Sequence, residues 1–202
     1  AYTWARKAFW DEGNSRYSYR AMDKAAAKIP PGAEGLIFLP YLAGEFSPSW
    51  DPYARAGFLG VGVQHQRPHF TRAVMEGVGF AIRDAMDGVL AAGQKVDDIR
   101  LIGGGAASDL WAQIMTDILQ RDLYVPQGAD AAFGAALMAG VTAGLFEASS
   151  EAIAELIHIR SRFSPDPKRS SLYDELFGIY RNAAESIAEV SHQLHFFQQE
   201  HN

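Results

Sequence analysis

The 202-residue chain is 48% apolar and 21% charged, an ordinary globular composition with enough apolar material for one domain or one lobe of a larger protein. Its formal net charge of -6 makes it a poor binder of polyanions, and no basic stripe offsets that charge, since Lys168-Arg169 after Pro165-Asp166-Pro167 reads as a solvated turn. The absence of cysteine excludes disulfides, thiolate metal sites and a cysteine nucleophile, which fits the cytoplasm, and no apolar run reaches the ~18 residues of a membrane span or resembles a secretory signal.

Ala1 opens directly into helical material whose aromatics need a surface to pack on, so the chain reads as beginning mid-protein. Residues 1–29 predict two helices broken near Gly13-Asn14-Ser15, the second Ala-rich and stopped by Pro30-Pro31-Gly32. The apolar run 35–42 predicts a buried strand, 43–56 a polar and aromatic loop, and 57–63 a second strand. Val74, Val78, Ile82, Ala85 and Val89 recur at helical spacing and define one face of a helix that Gly93 ends. Residues 99–102 form a short strand that runs into Gly103-Gly104-Gly105, and a helix over 108–120 follows with Ser108 or Asp109 at its N-cap. A strand is predicted at 123–126, a helix of small residues at 131–145 and a short helix at 150–157. A last long helix carries Tyr173, Leu176, Tyr180, Ala184, Ile187, Val190, Leu194 and Phe197 as a core-facing stripe, with a loose tail from 198 to 202. Strands alternating with helices predict an α/β layer, without internal repeats or a linker.

The junction at 101–111 carries the chemistry. A buried strand turns through three glycines into a helix start, where free N–H groups and the positive end of the helix dipole favour an anion. Glycines there let a backbone approach a ligand with no Cβ in the way, or merely let a helix pack closely on a sheet; the local pattern leaves both open. No Gly-Lys-Ser/Thr follows, so the turn is not a Walker A loop. Ser108 takes the third small position of a dinucleotide fingerprint, and the next strand ends in Val125-Pro126-Gln127 without an acidic residue, which argues against that fold.

Other conspicuous residues read more plainly. His65 and His69 are surface or helix-entry residues, because four-residue spacing makes no metal pair without a third ligand. Glu45 and Asp51 are loop carboxylates, mostly solvated, within reach of a cleft. Trp50 reads as loop packing rather than a cleft wall.

The run Ile102-Gly103-Gly104-Gly105-Ala106-Ala107-Ser108-Asp109-Leu110-Trp111, continuing through Leu119, resembles the adenosine motif of the FGGY sugar kinases. Ala56-Gly57-Phe58-Leu59-Gly60-Val61, followed by His69-Phe70-Thr71-Arg72-Ala73-Val74-Met75-Glu76, is similar to that family's C-terminal signature. Residues 130–140 are similar to the helix after its adenosine motif. Leu39-Pro40-Tyr41-Leu42-Ala43-Gly44-Glu45 and Asp51-Pro52-Tyr53-Ala54-Arg55 resemble its xylulokinase branch, although Phe46 stands where that branch usually has Arg. The resemblance covers nearly the whole chain and favours the phosphate reading of the glycine turn.

What it implies is an α/β fold of the actin-like (ribonuclease H-like) ATPase type, with residues 1–202 forming one incomplete C-terminal lobe that ends in a long helix. It implies ATP with Mg2+ and a sugar substrate, xylulose first, with glycerol, gluconate or ribulose as alternatives, and no nucleic-acid or membrane partner. By position, Gly103, Gly104 and Gly105 lie along the ATP phosphates and Ser108 lies near the adenine. The Asp that takes the sugar proton belongs to the region before Ala1, so neither a catalytic residue nor a metal ligand is expected here. A non-catalytic nucleotide-binding module with the same fold is the alternative from another class. Without preceding chain, segments 2–10 and 35–42 are expected to stand open and to drive formation of a homo-oligomer.

Overall fold

In the computed structural model, which describes residues 1–11, 18–128, 131–147, 149, 153 and 156–201, the two apolar runs flanking the 43–56 loop pair with each other. Ile37–Leu39 (β1) and Gly57–Leu59 (β2) form an antiparallel ladder with Phe38 opposite Phe58. Both strands are shorter than the runs that predict them. Pro40 has no N–H to donate to a ladder, and Gly60 turns the chain away at φ +81°.

A second sheet has the order β3-β4-β5. Ile99–Arg100 (β3) runs parallel to Leu123–Pro126 (β4), which pairs antiparallel with Ile159–Phe163 (β5). No strand is predicted at β5: Arg160 and Arg162 interrupt its apolar character, and Ile159 is 44% exposed, so it leaves little burial signal.

The 25-residue helix α3, Arg67–Ala91, is the centre of the packing. It touches β1, the helices α1 (Tyr2–Phe9) and α2 (Tyr19–Ala26), and the helix α4 (Asp109–Leu119). With neighbours on so many sides, its first half is buried nearly all round, from Thr71 to Gly77. The predicted single face is therefore corrected: Val74 is buried, but Ile82 and Val89 are exposed at 42% and 46%. Gly77 sits where α3 crosses β1, and a Cβ there would land on the carbonyl oxygen of Phe38.

Residues 2–10 and 35–42 are covered at several large apolar positions but not throughout. The Trp10 indole donates to Thr71 Oγ1 at 2.8 Å, and the Trp4 ring stacks on Phe38 at 5.8 Å. Ile37, Phe38, Leu39 and Trp10 are buried. The chain covers these segments in part with its own elements, and Trp4 and Leu42 each remain 37% exposed.

Ala131–Thr142 (α5) ends three residues before the predicted 145. The last helix, Pro167–His201 (α6), has no loose tail within its described length, since it stays helical to His201. Its predicted stripe is core only in part. Tyr173 and Tyr180 are buried, whereas Val190, Leu194 and Phe197 are exposed at 54%, 54% and 59%. Lys168 and Arg169 are helical rather than a turn, and Lys168 is exposed as expected. They lie in the first turn of α6, where Asp166 Oδ1 accepts both backbone N–H groups, and Arg169 Nε donates at 2.6 Å to the buried Asp117. The predicted break near Gly13-Asn14-Ser15 and most of the predicted 150–157 helix lie outside the described residues. Among the described residues, no helix is long and apolar enough to cross a membrane.

One polar network lies inside the core. Glu76 Oε1 accepts from Arg72 Nε at 2.7 Å, from the Tyr173 hydroxyl at 2.8 Å and from the Gly32 N–H at 3.0 Å. Arg72 also donates to the Tyr173 oxygen at 3.0 Å. These bonds fasten α3 to α6 and to the Pro-Pro-Gly turn before β1. A buried charge pair is tolerated on such terms, with its polar atoms partnered.

Candidate functional site

Pairing of β3 with β4 continues past the strand, as the Leu101 N–H donates to the Tyr124 carbonyl at 2.9 Å, and the chain then leaves the sheet. Gly103 has φ +77° and ψ -159°, a conformation open to glycine and strained for other residues. Residues Gly104–Ala107 make one 3-10 turn. Ser108 follows as the N-cap of α4, its hydroxyl accepting the Trp111 N–H at 3.1 Å. The turn thus lies at the carboxyl end of a parallel strand and at the N-terminus of a helix, the position where open α/β sheets bind ligands.

A cavity of about 700 Å3 opens between this turn and the first two helices. Gly104, Gly105, Ala107, Ser108 and Trp111 form one side, and Tyr2, Thr3, Tyr19, Arg20 and Asp23 form the other. Three predicted residues, Gly104, Gly105 and Ser108, therefore reach the cavity wall; Gly103 stands just before it and sets the turn. Trp111 belongs to the motif read from sequence, but Tyr2, Tyr19 and Asp23 carry no sequence signal that places them here, lying more than 80 residues away along the chain.

The spare space bears on why the glycines are there. A Cβ at Gly104 would meet no protein atom within 4 Å, and one at Gly105 would meet only the Trp111 ring at 3.5 Å. Close packing of helix on sheet therefore does not demand glycine at either position. The bare backbone faces open cavity and fits a polyphosphate lying along it, next to the positive end of an 11-residue helix. The charges nearby are mixed: Arg160 donates to the Ala106 carbonyl at 2.8 Å and lies 3.7 Å from Asp109. Among the described residues, no three His, Asp or Glu side chains gather to hold a metal ion.

A smaller cavity, about 270 Å3, lies between the 43–56 loop and α6. Tyr41, Glu45, Asp51, Asp84, Tyr180 and Arg181 line it, and the two tyrosine hydroxyls are 2.9 Å apart. Burial, and then the charge of Asp84, push the Glu45 carboxyl up to about 7. Asp51 behaves differently. Burial alone would raise it, but His192 at 2.7 Å and the N–H groups of Tyr53 and Ala54 hold it below its ordinary value. Neither carboxylate is the plain solvated loop residue expected: Glu45 is half-buried and Asp51 ties the loop to α6. Trp50 packs edge-on against Phe46, yet remains 74% exposed and does not line this cavity. His65 Nδ1 accepts the Gly62 N–H, and His69 Nδ1 accepts the Gln66 N–H at the entry to α3.

Comparison with known proteins adds a family. The model of the C-terminal domain of the FGGY family of carbohydrate kinases matches residues 2–143. The chain is 33% identical over 181 residues to a xylulose kinase of Bacillus subtilis, covering 89% of this chain and 36% of that one. It is 31% identical over 188 residues to a gluconokinase of the same species, covering 89% and 35%. Among solved structures, the ligand-bound xylulose kinase from Lactobacillus acidophilus superposes with a TM-score of 0.80 at 31% identity, covering 93% of this chain and 37% of that one. The chain spans about a third of the length of the curated relatives it matches. The actin-like α/β fold expected from sequence agrees with these neighbours.

Proposed function

The chain belongs to the FGGY family of carbohydrate kinases, and from that membership we propose that it is the nucleotide-binding lobe of an enzyme that moves the γ-phosphate of ATP to a sugar hydroxyl. The observation that carries this reading is the pair of glycines, Gly104 and Gly105, whose bare backbone faces a cavity of about 700 Å3. The polyphosphate runs along that backbone. The N-terminus of α4 adds positive potential, and Ser108 lies on the side of the turn nearer the base. Mg2+ held on the phosphates supplies charge neutralisation when bound.

The work of this lobe is positioning, which supplies much of the catalysis in phosphoryl transfer. We place the general base and most sugar contacts outside these 202 residues, since the chain spans about a third of its relatives. Among the described residues, the one carboxylate that lines the cavity, Asp23, already accepts the Tyr2 hydroxyl. A supply of ATP puts the reaction in the cytoplasm. Xylulose is the proposed sugar, supported by the relatives of that name and by the 39–55 segment that resembles their branch. Gluconate is the second reading, because the Bacillus subtilis gluconokinase is nearly as similar.

Gly104→Val tests the site. No protein atom stands within 4 Å, so the variant should fold normally. Its affinity for ATP by calorimetry should fall at least about tenfold, equivalent to ~1.4 kcal/mol. Unchanged affinity would make the glycine turn purely structural. The 202-residue chain alone should phosphorylate no sugar, whereas a whole kinase carrying this lobe should prefer xylulose over gluconate. Robust turnover by the chain alone would contradict the division of labour proposed here.

A further inference from the structure

A third cavity, about 370 Å3, lies apart from the two described above. It opens where the end of α2 and the Pro30-Pro31 turn meet α3, α4 and the start of α6. Four of its lining residues are charged: Lys28, Arg72, Asp117 and Arg169. The carboxylate among them is already saturated. Asp117 Oδ1 accepts from Gln113 Nε2 at 2.8 Å and from the Asp166 N–H at 2.9 Å, and Oδ2 accepts from Arg169 Nε. The cations are not. Arg72 is 4% exposed and gives Nε to Glu76 and Nη2 to Tyr173, so Nη1 makes no hydrogen bond among the described residues. A buried guanidinium nitrogen without a partner, on a residue that lines a cavity, calls for an acceptor there.

Arg169 binds Asp117 through Nε, and its Nη1 is 3.8 Å from Asp166, which leaves Nη2 uncommitted among the described residues. Lys28 is exposed and enters no ion pair among them. Leu110 and Ile114 add apolar wall, which lowers the local dielectric and strengthens any charge contact made there. The net charge of -6 acts mostly from farther away, and salt screens it within about 10 Å. We propose that this cavity is a second anion site, separate from the glycine turn, which takes a small dianion of the phosphate class, as the free ion or as a phosphomonoester, on Lys28, Arg72 and Arg169. Guanidinium forks match the oxygens of such an ion. The two sites lie on different faces of α4: Ser108 and Trp111 line one, whereas Gln113 and Asp117 line the other. The proposal therefore stands whether or not the nucleotide reading does.

The test uses the 202-residue chain carrying Gly104→Val, so that the glycine turn does not compete for the ion. Inorganic phosphate, titrated by calorimetry, should bind with a dissociation constant of about 1 mM or below. Adding Lys28→Glu reverses an exposed charge, so the fold should be kept, as a denaturant curve would show. Phosphate should then bind about tenfold more weakly, the scale of one partly screened charge contact. In nitrogen-15 spectra of the arginine side chains, the Arg72 guanidinium signals should move with the same midpoint as the heat. Glycerol 3-phosphate separates the two sources: tighter binding than phosphate assigns the site to a phosphomonoester, and equal binding assigns it to the free ion. Phosphate affinity unchanged by Lys28→Glu, Arg72 signals that stay in place, or no binding below about 10 mM would each overturn the proposal.

Discussion

Gly77 and Gly104 are the same residue for opposite reasons. At Gly77 the chain itself fills the place of a Cβ, since α3 presses on the Phe38 carbonyl. At Gly104 no protein atom comes within 4 Å. The same contrast holds for the regions around them. Near Gly77, Glu76 has three partners from the chain, contributed by Arg72, Tyr173 and Gly32. Around Gly104, backbone and rings line a cavity that the chain leaves unfilled. A glycine crowded by its own protein reports packing; at Gly104 packing makes no such demand, which is the ground for proposing a ligand there.

Substitutions can break that comparison, beginning with the largest effect. Glu76→Ala leaves the Arg72 guanidinium buried without its carboxylate, and should cost about 3–5 kcal/mol in chemical denaturation. A loss below about 1 kcal/mol would mean that water reaches this network. Gly77→Ala should cost about 1–3 kcal/mol through overpacking against Phe38, despite the better helix propensity of alanine. Gly104→Val should leave the unfolding midpoint where it is and act on ATP alone. If Gly77→Ala proved harmless, or Gly104→Val unfolded the chain, the distinction between the two glycines would collapse.

The smaller cavity sharpens the comparison from another side, because its carboxyl is only partly compensated. Glu45 titrates near 7 in the folded chain against an ordinary 4.5, so the folded state binds its proton more tightly. Its contribution is complete below 4.5 and is lost as pH rises through about 7. Stability should therefore decline modestly over that window, and Glu45→Gln should flatten the decline. An identical pH profile for variant and wild type would show that the carboxyl is solvated. The effect should be small, since Glu45 is half-exposed.

The residues differ in how far sequence alone reveals them. The turn from β3 into α4 was legible because its signals are local: three glycines, a serine cap and an apolar helix within about 20 residues. β5 was not, because its arginines interrupt its apolar character and its partner β4 lies more than 30 residues earlier. In α6 the period of the stripe was right, but a period names a face without saying what covers it. Tyr173 and Tyr180 meet Phe80 of α3, and Tyr180 meets Tyr41 just after β1, while Leu194 and Phe197 remain more than half exposed. The aromatic side of the large cavity was invisible for a related reason. Tyr2, Tyr19 and Asp23 reach Trp111 only through the packing of α1 and α2 on α3.

Hydrogen exchange with and without ATP tests the central claim most directly. Saturating ATP should slow exchange of the backbone amides at 104–108 and in the segments carrying Tyr2 and Tyr19, and leave 72–77 at its ligand-free rate. Protection confined to 41–51, or none at 104–108, would contradict the account.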